Sequence, residues 1–270
     1  MGADIKSLRT RIRSVDSTLH LTKAMGLVAS SKIRRATRDM NRTREYASAM
    51  QDVVDVLRAA PECERSPYMQ PSGEGTRLIV IAGDRGLAGG YNANVFRLAA
   101  TLPEAEVIAI GKRACDRYGQ ETVSSEHYPA TEAKKLADRL CREFLEGKFS
   151  RLGILFTRYK SMISQEATVQ WILPLEKAEK KEGGGDTIFE PDEQTVLGGA
   201  VPVYVSGMIS ACVQESFASE VAARRMAMDS AGKNAQEMID RLQLQYNRAR
   251  QNSITQEITE IVAGQGSDRI

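Results

Sequence analysis

The chain has 270 residues, enough for one large or two modest domains, and its 37 basic and 35 acidic side chains leave a formal charge of only +2. With 42% apolar and 6% aromatic residues it reads as a globular protein of high helical content, and no whole-protein charge drives it onto nucleic acid. Four cysteines, at 63, 115, 141 and 212, form no CxxC pair, so neither a zinc site nor a disulfide framework is indicated and a reducing compartment is the simplest reading.

From the amino terminus, Lys6, Arg9, Arg11, Arg13 and Lys23 lie on an amphipathic pattern that superficially resembles a transit peptide. The same periodicity runs on to about residue 57, so this segment is expected to be mature protein. Stepping alternately by three and four residues from Ile5 gives Leu8, Ile12, Val15, Leu19, Thr22, Gly26, Ala29, Ile33, Ala36, Met40, Thr43, Ala47, Met50, Val54 and Leu57, none of them charged. A sustained 3.5-residue period predicts a coiled-coil helix over residues 1–60, a rod of about 80 Å at about 1.5 Å per residue. Such a rod cannot bury its stripe alone.

Pro61, Pro67 and Pro71, with Gly73 and Gly75, break this helix and predict a linker. The next segment, 76–200, reads as an inserted α/β domain. Leu78 to Ala82, Val107 to Ile110 and Leu152 to Phe156 are buried-strand runs, separated by helical composition around Ala93 to Thr101 and Glu132 to Leu145. That alternation is the signature of a parallel, Rossmann-like sheet. Ala167 to Leu173 is a candidate further strand after a hairpin or loop at Tyr159 to Glu166, and Lys177 to Gly185 reads as a charged loop. Leu78 to Ala82 is read as the longest compact apolar run, and no bilayer-spanning segment is expected.

The carboxyl-terminal segment, 206–264, carries a matching stripe: Ala218, Val221, Met228, Gly232, Ala235, Ile239, Leu242, Tyr246 and Ala249, with Arg225 as its one charged interruption. Beyond Ala249 the apolar phase slips by one residue to Ile254, Ile258 and Ile261, which changes the apolar face. The expected fold is therefore a long antiparallel coiled coil of the two terminal helices with an α/β domain inserted between them.

One motif invites a chemical reading. Gly83-Asp84-Arg85-Gly86-Leu87-Ala88-Gly89-Gly90 follows a strand and precedes a helix, where backbone N–H groups can meet a phosphate. It matches neither GxGxxG nor a P-loop, and a tight ligand-free turn accounts for its glycines better than a phosphate site does. The alternative function is thus a nucleotide-binding α/β protein using Gly83 to Gly90. The two histidines, His20 and His127, fall in different regions, and no His, Cys or carboxylate cluster suggests a metal site, so neither catalytic residues nor cofactors are expected. Residues 1–50 hold 11 Lys or Arg against four Asp or Glu; with only Tyr46 available for base stacking, an acidic protein surface fits them better than nucleic acid.

Several ordered motifs resemble those of one family. Leu21-Thr22-Lys23-Ala24-Met25 with Val28-Ala29-Ser30-Ser31-Lys32, the loop Asp84 to Asn92, and the tail Tyr246 to Gln251 with Ile254 to Val262 together resemble the gamma subunit of the F-type ATP synthase, bacterial type. The resemblance implies a rotor shaft in one copy per complex, whose partners are the alpha and beta subunits, the epsilon subunit and the c-ring. It implies that gamma transmits torque without catalysing, and that it sits on the cytoplasmic face of the bacterial plasma membrane without direct membrane insertion. It further implies coupling contacts at Met25, Arg224, Gln251, Thr255, Glu257 and Glu260, and c-ring or epsilon contacts at Phe189 and Glu190. The chain departs from the family in carrying Ala88 where Cys is common, in a shortened stretch before Ile188, and in its ending, Gln265 to Ile270.

Overall fold

The computed structural model describes residues 2–178 and 189–267, with side-chain surroundings for 4–178 and 189–260. The expected loop at 177–185 therefore lies mostly outside the described residues, as do Ile188, the surroundings of Ile261 and Val262, and the last three residues of the Gln265 to Ile270 ending. The chain forms two compact units, one of Met1–Val28 with Arg225–Ile270 and one of Ala29–Arg224. The terminal helices, α1 (Gly2–Arg58) and α5 (Glu193–Ser267), contribute to both.

In the first unit, the α1 stripe from Ile5 to Gly26 is the face that is wholly or partly covered. Leu19 clusters with Ala235 and Ile239, Thr22 faces Gly232, and Gly26 faces Met228. Ascending numbers on α1 meet descending numbers on α5, so the pairing is antiparallel. Arg225 is exposed, as a charge in the stripe must be. Beyond Ala249 the half-covered face keeps its phase through Ser253, while Ile254 and Ile258 point outward.

In the second unit the same antiparallel order continues, with Ala29 and Ile33 against Val221 and Ala222, Ala36 and Met40 against Ala218, and the Tyr204 hydroxyl donating to Gln51 Oε1 at 2.7 Å. Between these helices run β1 (Thr76–Ile81), α2 (Tyr91–Ala99), β2 (Glu106–Ile110), α3 (Lys112–Tyr118), α4 (Ala130–Leu145), β3 (Arg151–Tyr159) and β4 (Gln165–Leu173). The strand order is β2-β1-β3-β4. The first three strands are parallel, as the alternating pattern requires, whereas β4 returns antiparallel to β3 through the hairpin at Lys160 to Ser164.

Alternate residues of β1 serve opposite faces. Ile79 and Ile81 join the core under α4, where Ala133, Leu136, Ala137, Leu140, Cys141 and Phe144 form one helical stripe. Leu78, Val80 and Ala82 pack under α2 and α3 with Val95, Ala99, Ala114 and Cys115. A strand covered on both faces has no place for polar residues, which is why it reads as a continuous apolar run. Gly111 connects β2 to α3 at φ +96°, with a Cβ position 1.9 Å from the Ala82 carbonyl oxygen, so no other residue fits there.

Three expectations need correction. The proline-rich stretch after α1 is not a free linker: Cys63, Ser66 and Tyr68 are buried, Tyr68 stacks on Phe144 at 6.1 Å between ring centroids, and its carbonyl accepts the Leu175 N–H. The carboxyl-terminal helix starts well before residue 206, because Asp192 caps it by accepting the Thr195 N–H and hydroxyl at 2.8 and 2.7 Å. Leu78 to Ala82 is also not the longest apolar stretch. No charged residue stands between Glu193 and Glu215, a run that is long and apolar enough to cross a membrane by length and composition. Here it is a core helix instead: Leu197, Val201, Tyr204, Val205, Met208, Ile209, Cys212 and Val213 are all buried against the sheet, α4 and α1. Pro202 lies inside it and removes one backbone donor from the helix.

Candidate functional site

The glycine loop after β1 folds against one face of α5 and a neighbouring turn of the α/β body. Asn92, in the first turn of α2, holds its ends together by accepting the Gly83 N–H at 2.9 Å and donating to the Arg85 carbonyl at 3.3 Å. Leu87 takes φ +60°, a left-handed conformation unusual for a side chain of its type, and leaves that side chain exposed. The loop is thus held in a shape its own sequence disfavours.

What holds it is a pair of buried and half-buried charges. Glu220 on α5 has only 3% of its side chain exposed and pairs with Arg224 one turn later; Arg224 also donates through Nε and Nη2 to the Gly86 carbonyl, both at 3.3 Å. Gly83 permits the contact, since a Cβ there would lie 2.6 Å from Glu220 Cδ. Burial pushes the Glu220 carboxyl above the ordinary carboxylate range, against the opposing pull of Arg224 and the Arg85 N–H. A carboxyl group of the chain itself therefore already occupies the mouth of this loop.

Asp84 fixes the other side. Its carboxylate accepts the Ser124 hydroxyl at 2.5 Å and the N–H groups of Ser125, Lys112 and Glu126 at 2.9, 3.0 and 3.1 Å. Burial works against its ionisation, yet these donors together hold its pKa below the usual value. Glu126 beside it pairs with Lys32 of α1, and Arg85 Nη2 lies 3.9 Å from its second oxygen. Burial raises the Glu126 carboxyl less than these cations lower it. Lys32, Glu126, Asp84, Arg85, Glu220 and Arg224 thus form one polar clasp between the α/β body and both helices of the second unit.

The structure brings Arg224 into this clasp and leaves the other sequence-predicted residues outside it. Met25, in the first unit, is half-buried beside exposed Leu21, Leu27 and Val28. Gln251, Thr255, Glu257 and Glu260 are all exposed. Gln251 and Thr255 share one side of α5, the Thr255 hydroxyl donating to the Gln251 carbonyl at 2.9 Å, whereas Glu257 and Glu260 lie about 140–240° around the helix from them. Phe189 is half-buried against the core of the second unit and Glu190 is exposed, just ahead of the Asp192 cap. Among the described residues no group of three or more His, Cys, Asp or Glu is arranged to hold a metal ion.

This geometry defines a helical hairpin clasping an α/β insert, built to hold elements together. A family model described as ATP synthase matches residues 4–267. The ATP synthase gamma chain of Moorella thermoacetica is 38% identical over 97% of this chain and 98% of its own length, and that of Ruminococcus albus 37% identical over 98% and 99%. Two chains of Euglena gracilis mitochondrial ATP synthase structures share the fold. One, from the OSCP/F1/c-ring structure, has a TM-score of 0.70 at 19% identity, covering 99% of this chain and 95% of its own; the other, from the rotor, has 0.65 at 18%, covering 94% and 100%. The chain belongs to the ATP synthase gamma chain family.

Sequence reasoning missed Glu220, Asp84, Lys32 and Glu126 as structural actors. The available signal was polar residues inside an otherwise apolar phase of α5, at Glu215, Ser216, Ser219 and Glu220, which on a buried face must each find a partner.

Proposed function

We propose that this chain is the central rotor shaft of an F-type ATP synthase, transmitting torque between a c-ring and an alpha-beta catalytic hexamer so that ion translocation is coupled to ATP synthesis or hydrolysis. It is a subunit of a rotary complex that itself catalyses nothing, present in one copy, attached peripherally at the cytoplasmic face of the membrane. Residues 1–60 and 206–264 serve as the shaft and 76–200 as the foot. Met25, Arg224, Gln251, Thr255, Glu257 and Glu260 act in coupling to alpha and beta, and Phe189 and Glu190 meet the c-ring or epsilon. The observation that carries this reading is the uncharged α1 stripe, covered or half-covered at every step from Ile5 to Leu57, on a chain that aligns with gamma chains over nearly its whole length. A helix of this length, about five times the average, is more than a 76–200 insert needs for its own core.

Reconstitution tests it. The chain mixed with alpha, beta and epsilon should yield a stable complex whose ATP hydrolysis turns a probe fixed to the 76–200 region; a chain that stays alone in solution refutes the proposal. The nucleotide-binding alternative loses its footing in the loop itself, where Asn92 and Glu220 take the Gly83 and Arg85 donors that a phosphate would need.

A further inference from the structure

We propose that Glu215, Ser216 and Ser219 of α5 form a torsional joint that makes the α/β body and the helix pair of the second unit turn as one piece, an inference that rests on the rotor reading above. The joint begins with a missing strand. Pairing of β1 with β3 ends at Val80 and Leu155, but β3 continues to Tyr159 with β4 on its other side. The last turn of β3 therefore presents bare backbone groups toward α5. Three of these groups meet a side chain of α5: the Thr157 N–H donates to Ser216 Oγ at 3.1 Å, the Ser219 hydroxyl donates to the Thr157 carbonyl at 3.0 Å, and the Tyr159 N–H donates to Glu215 Oε1 at 2.9 Å. Thr157 and Tyr159 are about 6.6 Å apart along a strand, close to the 5.4 Å pitch of a helix, so one turn of α5 stands in for the absent neighbour.

The same Glu215 oxygen also accepts Arg44 Nη2 of α1 at 2.9 Å, and the Tyr91 hydroxyl of α2 donates to the Ser216 carbonyl at 3.0 Å. One helical turn thus ties α1, α2 and β3 to α5, with Ser216 and Ser219 1% and 0% exposed. The consequence is mechanical. Apolar burial resists separation but is non-directional, so it opposes sliding and twisting weakly; hydrogen bonds lose strength steeply when bent, so they oppose rotation of the body about the helix axis. These residues are positioning residues for torque transfer.

The test uses the assembled complex with the hexamer immobilised and a probe on a thiol introduced by Ile163→Cys, at the exposed tip of the β3–β4 hairpin; the four native cysteines are buried. With the catalytic sites locked by a non-hydrolysed nucleotide, the angular variance of the probe reads torsional stiffness. Glu215→Ala and the pair Ser216→Ala with Ser219→Ala should raise that variance at least about twofold, as directional contacts are removed, and Glu215→Gln, whose amide oxygen can accept the same two donors, should restore it. Arg44→Ala, at a half-exposed position, removes only the α1 limb and is the variant least able to disturb folding; it too should raise the variance. Unchanged variance in Arg44→Ala and in either disrupted variant, at a temperature where circular dichroism shows them folded, overturns the joint. Failure of the wild-type probe to step on ATP overturns the rotor reading, and the joint with it.

Discussion

Removing the Arg224 guanidinium should convert the clasp from an ion pair into a buried lone carboxylate. In Arg224→Ala, Glu220 keeps the Arg85 N–H but loses the cation it pairs with at a site 3% exposed, with the Asp84 charge nearby. The carboxylate escapes by taking up a proton, which sets a ceiling on the damage. Protonating at pH 7 a group whose ordinary value is 4.5 costs about 3.4 kcal/mol, at about 1.4 kcal/mol per pH unit. Because the wild-type carboxyl is itself raised by burial and already bears part of that cost, the charge contribution to the loss at pH 7 should be no more than about 3 kcal/mol, at the lower edge of what breaking buried pairs costs. The sign with pH follows: the folded variant holds its proton to higher pH than wild type does, so stability relative to wild type falls, by up to about 1.4 kcal/mol per pH unit, as pH rises above the wild-type carboxyl's own raised value, and the deficit shrinks again toward acid. Urea unfolding followed by Trp171, the single tryptophan and a β4 residue of the same unit, measures this between pH 5 and 8. Adding Glu220→Gln should abolish the pH dependence. A deficit in Arg224→Ala that is the same at pH 5 and pH 7 would show that Glu220 is not the buried charge described.

Asp84→Asn should flatten the acid limb of stability. The folded-state carboxyl titrates below 3.8, so its contribution is present above that value and drains away as pH falls through the folded value; urea midpoints from pH 5 down to pH 2.5 should converge for variant and wild type. Because the group is half-exposed, solvent screening keeps the difference modest, and wild-type and variant curves that stay parallel would contradict it. Leu19→Asp places a carboxylate among Val15, Ala235 and Ile239, forfeiting about 1.5–3 kcal/mol of burial before any charge cost; far-UV dichroism should fall while Trp171 emission holds, since Trp171 belongs to the other unit. Met25→Lys should leave dichroism and unfolding unchanged and lower the protons pumped per ATP hydrolysed by the reconstituted complex; full pumping would remove Met25 from the coupling set.

Legibility in the sequence tracked the range of the interactions involved. The α1 stripe is readable because every third or fourth residue repeats one local demand, an uncharged side chain on one face, and the strand runs are readable because a sheet covered on both sides admits only apolar residues. The 194–214 stretch lacks that mark: uncharged on every side, it has no charged face to set a helical period against, and its cap, Asp192, follows a run of lysines and glycines at 180–185 that reads as a loop. The direction of β4 stays open in the sequence between a hairpin and a loop at Tyr159 to Glu166, because strand direction is set by the connection and not by composition. The clasp was the least legible feature. Its partners are separated by 94 residues between Lys32 and Glu126 and by 138 between Gly86 and Arg224, and only the fold tells a buried glutamate from a solvated one.

The burial of α5 changes character along its length in a way that an isolated protein would not need. Between Glu193 and Glu215 the helix is core; from Glu215 to Arg224 it is a row of polar attachments; from Met228 to Leu242 one narrow stripe is covered. Farther on, Leu244, Ile254 and Ile258 are 54%, 44% and 56% exposed, and the stripe's own phase is carried by Tyr246, Ala249 and Ser253, only half-covered. Exposed β-branched and leucine side chains outside the covered stripe stabilise nothing in the free chain and favour association. The slip of phase after Ala249 therefore separates two demands on one helix, a stripe for its antiparallel partner and an apolar outer face for a surrounding surface, and the rotor reading supplies that surface in the interior of the alpha-beta hexamer.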